Sequence, residues 1–304
     1  MRVIITGGTG LIGRSLAGVL VDAGHDVVVL TRSPGKTDAP AEISYVAWDG
    51  RSADGWGPLV DGAGAVVHLA GASIAEGRWT AARRQVIERS RLDSGAAVVA
   101  AIRAAQRKPD VLIQASGVGY YGPLGDETVT EKAPAGRDYL ARLAVDWENS
   151  TAAVESLGVR RCVIRTGVVL STKGGALPRM MLPFRFFVGG PLGSGRQWFP
   201  WIHMEDEVGA IRFLLEHPHA KGVFNLSAPA PVRNAEFGRA LGKAMGRPAL
   251  LPLPAFALRL LFGEMATALL DGQRAMPQAL SELGYRFRHP AVEPALRDLI
   301  ARGF

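Results

Sequence analysis

Cysteine is almost missing from this 304-residue chain: Cys162 is the only one, which excludes an internal disulfide framework and any cysteine-cluster zinc or iron–sulfur site. It lies in Arg161-Cys162-Val163-Ile164, an apolar run that reads as a buried strand, so it behaves as a small core hydrophobe. The start lacks the apolar stretch that a signal peptide requires, because glycines begin at Gly7. The most apolar late segment, 249–262, is interrupted by Pro252, Pro254 and Arg259 and falls short of the roughly 20 residues that span a bilayer. A cytoplasmic chain with no transmembrane helix and no membrane partner is expected. Histidines are few, and His217 and His219 flank a proline without carboxylate partners, so no metal site is expected. Acidic residues are outnumbered, 28 against 35 basic, for a net charge of +7. The excess is mostly scattered arginine without an aromatic-basic repeat, which argues against nucleic acid and suits small phosphate-bearing ligands.

What is present is ordinary globular composition, 48% hydrophobic and 21% charged, in a chain long enough to bury roughly 75% of its unfolded surface. Apolar runs rich in β-branched residues at 3–6, 27–30, 43–48, 65–69, 111–114, 162–165 and 222–226 read as strands. Between them, helical spacing predicts helices over 13–23, 80–105, 140–157 and 206–216. Alternation of this kind means an α/β fold, a doubly wound parallel sheet covered on both faces. Beyond Leu170 the pattern loosens into loops framed by Gly174-Gly175, Gly189-Gly190-Pro191 and Gly193-Ser194-Gly195, the texture of a substrate loop region. From Asn234 the chain reads as almost entirely helical, broken at Gly246-Arg247-Pro248. A soft boundary near residue 231 separates a dinucleotide-binding domain, 1–230, from a small, mainly helical region, 231–304, expected to contribute to a substrate cleft.

Between the first strand and first helix stands Thr6-Gly7-Gly8-Thr9-Gly10-Leu11-Ile12-Gly13. Glycine is needed where backbone turns sharply against a pyrophosphate and where helix packs closely on strand, and the free N–H groups of the helix start then meet the phosphate charge. Gly7, Gly8, Thr9, Gly10, Leu11, Ile12 and Gly13 are therefore candidate cofactor residues. After the second strand comes Thr31-Arg32, where an NAD site would place an acidic residue for the ribose hydroxyls. A guanidinium there binds a 2′-phosphate instead, so NADP is the expected cofactor, with Lys36 adding charge from the adjoining loop.

These motifs carry a family resemblance. Together with His68-Leu69-Ala70-Gly71, Arg78-Trp79-Thr80, Ser90-Arg91, Gly119-Tyr120-Tyr121-Gly122, Asp146-Trp147-Glu148, 165–170, Pro200-Trp201-Ile202-His203 and Asn234-Ala235-Glu236-Phe237, the glycine loop resembles that of atypical, extended short-chain dehydrogenase/reductases. More narrowly, it resembles the epimerase family 39U-like proteins, which carry their own C-terminal domain. The resemblance covers nearly the whole chain and implies a Rossmann fold in which Leu69, Ala70 and Gly71 line the cofactor, Gln85 and Ser90 face it from the following helix, and Val168 approaches the nicotinamide.

The wider family's chemistry uses a Ser, a Tyr and a Lys. Here the Tyr-x-x-x-Lys slots fall on Leu140 and Ala144, or, shifted by one, on Tyr139 and Leu143, with no cation in either register. The serine slot falls on Gly117, with Ser116 one residue earlier. Ser116, Tyr121 with its neighbour Tyr120, and His203 are the candidate catalytic groups, while Asp206 reads as a first-turn helix acid. Two readings follow. One is an NADP-dependent oxidoreductase or epimerase-like enzyme acting on an unidentified small molecule, with sugar nucleotides suggested by the family label alone. The other is an NADP-binding sensor or scaffold with little turnover. Self-association is compatible with either, and the Arg-dense stretch 78–91 reads as a phosphate clamp or as a solvated helical face.

Overall fold

The computed structural model describes residues 1–36 and 42–303, so the Lys36 side chain lies outside the described part. Seven strands form its main sheet: β1 (Arg2–Thr6), β2 (Asp26–Thr31), β3 (Ile43–Ala47), β4 (Ala65–His68), β5 (Val111–Gly117), β6 (Arg160–Thr166) and β7 (Gly222–Leu226). All neighbours are parallel, in the spatial order β7-β6-β5-β4-β1-β2-β3. The chain runs outward from β1 to β3 and then returns to place β4 on the other side of β1. That reversal opens a crevice beyond the carboxyl ends of β1 and β4, where doubly wound folds bind their ligands.

Side-chain alternation builds a layer on each face. Val3 and Ile5 of β1 pack with Leu16 and Leu20 of α1 (Leu11–Asp22) and with Ile211 and Leu214 of α5 (Met204–Glu216). Ile4 points the other way, toward Val98 and Ile102 of α2 (Ala81–Ala104). All of these are fully buried, each contributing about 1.5–3 kcal/mol. Burial on both faces is why the strands read as unbroken apolar runs.

The helix expected over 140–157 ends early. The α3 helix (Tyr139–Asn149) stops where Ser150 Oγ donates to the Trp147 carbonyl at 2.6 Å, and a 3₁₀ stretch, Ala152–Leu157, follows. Close packing of α2 accounts for the break: a Cβ on Gly95 would lie 2.1 Å from Ser150 Oγ. The region after Asn234 is also less helical than expected. Between α6 (Asn234–Met245) and α7 (Ala255–Phe262) the chain is extended along 189–193, with Leu251 N–H donating to Gly189 O at 3.1 Å and Leu253 N–H to Pro191 O at 2.9 Å. Pro248, Pro252 and Pro254 keep it out of a helix. Phe237, Leu241 and Leu296 share one core with Leu170, Met181 and Trp201, so the C-terminal region packs against the loops after β6. Three short pairings among the described residues escaped the sequence pattern: Val168–Leu170 beside Trp201–His203, Trp198–Phe199 beside Val232–Arg233, and Thr128–Val129 beside Arg274–Ala275. Strands of two or three residues carry no periodicity.

Candidate cofactor cleft and the polar network beside it

The glycine loop turns tightly at the end of β1, closed by Gly10 N–H donating to Gly7 O at 3.0 Å. Gly7 has φ +68°, and a Cβ there would lie 2.8 Å from the Leu69 backbone; a Cβ on Gly13 would lie 2.5 Å from Gly7 O. Both positions exclude any side chain. Gly8 is pressed against Val29, which seats the loop on β2.

Helix ends show where charge is wanted. The first amides of α2, α3 and α5 are capped by Thr80, Asp138 and His203 side chains. In contrast, α1 begins at Gly10 and α4 (Ala176–Arg185) at Gly175 without a side-chain cap, as do α7 and the helices Gln278–Glu282 and Val292–Arg302. The bare ends at Gly10 and Gly175 open onto the same cavity of about 380 Å³, whose walls include Gly7, Gly10, Leu11, Leu69, Val168 and Gly175. Two uncapped helix N-termini and an apolar wall make a site for an anionic group attached to an apolar ring. Leu11, Ile12, Gly13, Leu69 and Val168 border this cavity, and Ser73, Val169, Gly175 and Ala176 join them. The last four were missed, although Gly174-Gly175 was the available signal for a second bare helix start.

Other candidates sit around the cavity. Arg32 is exposed just beyond β2, with no partner among the described residues, and Thr31 Oγ1 accepts from Ser33 N–H at 3.3 Å. Gln85 is exposed on α2. Ser90 Oγ accepts from Ala72 N–H at 2.9 Å, so it holds the loop after β4 in place. Beneath the loop, Thr6 Oγ1 accepts from Ala70 N–H at 3.2 Å and gives its own proton to His68 Nδ1 at 2.7 Å. His68 Nε2 then faces Ser94 Oγ at 3.4 Å. Burial drives the His68 pKa down to about 3, so the ring stays neutral and locks β1, β4 and α2 together. Gly71 lies against the buried Arg91, which donates to Ala72 O at 3.0 Å.

Ser116 and Tyr121 are brought into one network, through groups the sequence did not single out for chemistry. Arg165 grips Glu148 with two bonds, Nε to Oε1 at 2.8 Å and Nη2 to Oε2 at 2.9 Å. Ser116 Oγ donates to Glu148 Oε1 at 2.7 Å. Tyr121 OH accepts from Arg165 Nη1 at 3.1 Å and donates to Asn225 Oδ1 at 2.7 Å. The Arg165 guanidinium also lies 3.2 Å from the Tyr120 ring centroid, and all but Tyr120 are buried. Burial raises the Tyr121 pKa above the usual tyrosine value in spite of Arg165, so the phenol keeps its proton. Neither hydroxyl borders the cavity. Of the two registers for the family's acid/base slots, one holds Leu140 and Ala144, with Leu140 packed against Gly119, and the other Tyr139 and Leu143, with the Tyr139 hydroxyl buried without a partner among the described residues.

Behind Val168, the fully buried Glu207 accepts from Thr166 Oγ1 at 2.9 Å, its other oxygen has no partner among the described residues, and burial lifts its pKa to about 8. His203 Nδ1 accepts from Glu205 N–H at 3.1 Å, so the proton of the neutral ring sits on Nε2, facing Asp298 at 3.5 Å. Burial lowers its pKa to about 4. His203, Glu205 and His289 have ligand atoms within 4.8 Å of one another, but a protonated Nε2 has no lone pair for a metal. Asp206 accepts from the backbone of Arg288 at 2.7 Å and His289 at 2.9 Å, tying the C-terminal region to α5.

Comparison with known proteins places this arrangement. Residues 3–227 match the model of the NAD dependent epimerase/dehydratase family, and 253–299 match a domain of unknown function (DUF1731). The chain is 42% identical to an epimerase family protein of Staphylococcus haemolyticus, covering 98% of each. It is 40% identical to the mouse epimerase family protein SDR39U1, covering 99% of this chain and all of that one. Among solved structures, human SDR39U1 (isoform 2) with NADPH superposes with a TM-score of 0.89 at 35% identity, covering 99% of both chains. The Streptomyces venezuelae dTDP-glucose 4,6-dehydratase DesIV shares the fold, with TM-score 0.78 at 17% identity, covering 99% of this chain and 96% of that one. The chain belongs to the NAD dependent epimerase/dehydratase family.

Proposed function

We propose that this member of the family binds NADP(H) and exchanges hydride between the nicotinamide and a small-molecule substrate held against its C-terminal region. The observation that carries the reading is the pair of uncapped helix starts at Gly10 and Gly175 opening on one cavity, with Arg32, which has no partner among the described residues, at the same sheet edge. Gly7, Gly8, Thr9, Gly10, Leu11 and Ile12 would hold the diphosphate, with Gly13 giving the helix its close approach. Arg32, beside Thr31, would hold the 2′-phosphate. Leu69, Ala70, Gly71 and Val168 would flank the nicotinamide end, with Gln85 and Ser90 on the helix beyond. The NADPH in the human relative supports this assignment. When bound, the nicotinamide supplies the hydride; the chain's own residues orient it on an apolar wall and exclude water.

A second reading, an NADP-occupied sensor or scaffold, gains from one observation. Ser116 and Tyr121 spend their hydroxyls on Glu148, Arg165 and Asn225, and the family's lysine slot falls on Ala144 or, shifted by one, on Leu143, with no cation in either register. His203 is committed as a helix cap. Oxidation of NADPH by a panel of carbonyl compounds and sugar nucleotides separates the two. Turnover by the wild type supports the enzyme, and its loss in Tyr121→Phe or in a His203→Gln variant of unchanged melting temperature would assign that group to proton transfer. Binding of NADPH with no turnover on any compound leaves the sensor.

A further inference from the structure

Among the described residues, ten of the twelve large apolar side chains left exposed lie within 182–261. They gather at the end of α4 and along 250–261. Arg247 lies 4.4 Å from the Phe187 ring centroid, and Leu251 is bonded to Gly189, so the two segments form one surface. Phe186, Leu250, Phe256 and Leu260 are each 70–79% exposed. These four are the most exposed of the set. Phe187 has φ +61°, the one positive value among the described non-glycine residues. That is a costly conformation for an aromatic residue, and it holds the ring outward.

Along the two stretches of chain that form this surface the charge has one sign. No Asp or Glu occurs between Glu155 and Glu205, or between Glu236 and Glu264, whereas Arg185, Arg247 and Arg259 fall within those stretches and are exposed. Acids stand beyond the end of α7: Glu264 pairs with Arg84, and Asp271, whose pKa is raised by burial and by Asp138, lies within the field of Arg259.

We propose that this face docks on an anionic lipid bilayer, its phenylalanines and leucines entering the headgroup boundary while Arg247 and Arg259 meet lipid phosphates. A second copy of the chain would set arginine against arginine. A folded protein partner would need a complementary shape, which separately exposed rings do not offer; a fluid bilayer needs none. The docking involves no membrane-spanning segment: among the described residues no helix is long and apolar enough to cross a membrane. It is independent of the NADP(H) reading.

Flotation of the full chain with phosphatidylcholine vesicles, with and without about 25% phosphatidylglycerol, tests the proposal. The expected result is binding to the anionic vesicles that weakens with salt. Combined Phe186→Ser, Phe256→Ser and Leu260→Ser should lower partitioning by more than about tenfold, and Arg247→Glu with Arg259→Glu by about tenfold. Melting temperatures equal to wild type, read without cofactor, show that the variants fold. Failure of the wild type to float with anionic vesicles overturns the proposal, as does equal binding to phosphatidylcholine alone. A dimer seen by light scattering that the triple apolar substitution dissolves would give the face to a second copy instead.

Discussion

Two sites at the carboxyl edge of one sheet treat their polar groups in opposite ways. At the ends of β1 and β4 the helix-start amides behind Gly10 and Gly175 have no side-chain partner and face a cavity. On the adjoining strands β5, β6 and β7, one group of polar side chains is consumed instead: Ser116, Glu148, Arg165, Tyr121 and Asn225 satisfy one another out of contact with solvent. Two bare helix starts meeting at one cavity suit an anionic ligand, because water or an anion relieves the cost of their open amides. Committed donors mark a place built for the fold. The contrast separates a cavity ringed by open helix-start donors from a buried polar network that serves as cement.

If that contrast holds, damage to the cement costs stability first. Arg165→Met leaves the Glu148 carboxylate buried and unpaired, and an unfolding titration should show a loss of about 3–5 kcal/mol; a loss below 1 kcal/mol would mean the network is not structural. Next comes Glu207. Its pKa is raised in the fold to about 8 from an ordinary 4.5, so the folded state holds a proton that the unfolded state releases between those values. The stabilising proton is fully present below pH 4.5 and lost as pH rises through 8. Glu207→Gln, which keeps an acceptor for Thr166, should therefore gain on the wild type as pH rises from 5 to 8, by up to roughly 3 kcal/mol at pH 7. A melting-temperature offset that does not change with pH would contradict this. On the open side, Gly7→Ala forces a Cβ against Leu69 at a left-handed φ and should cost about 2 kcal/mol, with a larger fractional loss of NADPH affinity in a binding titration. Smallest is Tyr121→Phe, which leaves Arg165 Nη1 and Asn225 Oδ1 each one bond short and should destabilise by about 1–2 kcal/mol while NADPH affinity stays at the wild-type value.

The open side was legible in the sequence and the closed side was not, for physical reasons. Glycine at 7, 8, 10 and 13 is demanded by backbone geometry within a few residues, and Arg32 follows a strand whose apolar run marks its own end. Long strands and helices likewise declare themselves by local periodicity. The network joins Arg165 to partners 17 and 44 residues away, and no local pattern carries such pairings. Glu148 and Arg165 stood inside recognisable motifs, yet the motif did not say that Arg165 supplies the cation beside Tyr121. His203 reads as a titrating group until the Glu205 amide is seen on Nδ1. The extended stretch before α7 was hidden because its hydrophobic residues, which look like core in a sequence, stand in solvent.

Calorimetric titration of NADPH and of NADH into wild type and Arg32→Ala tests the central claim most directly. The expected result is a wild type that binds NADPH at least about tenfold more tightly than NADH, and a variant that binds the two alike with its NADH affinity unchanged. Equal affinities in the wild type, or a preference for NADPH that survives loss of the guanidinium, would contradict it.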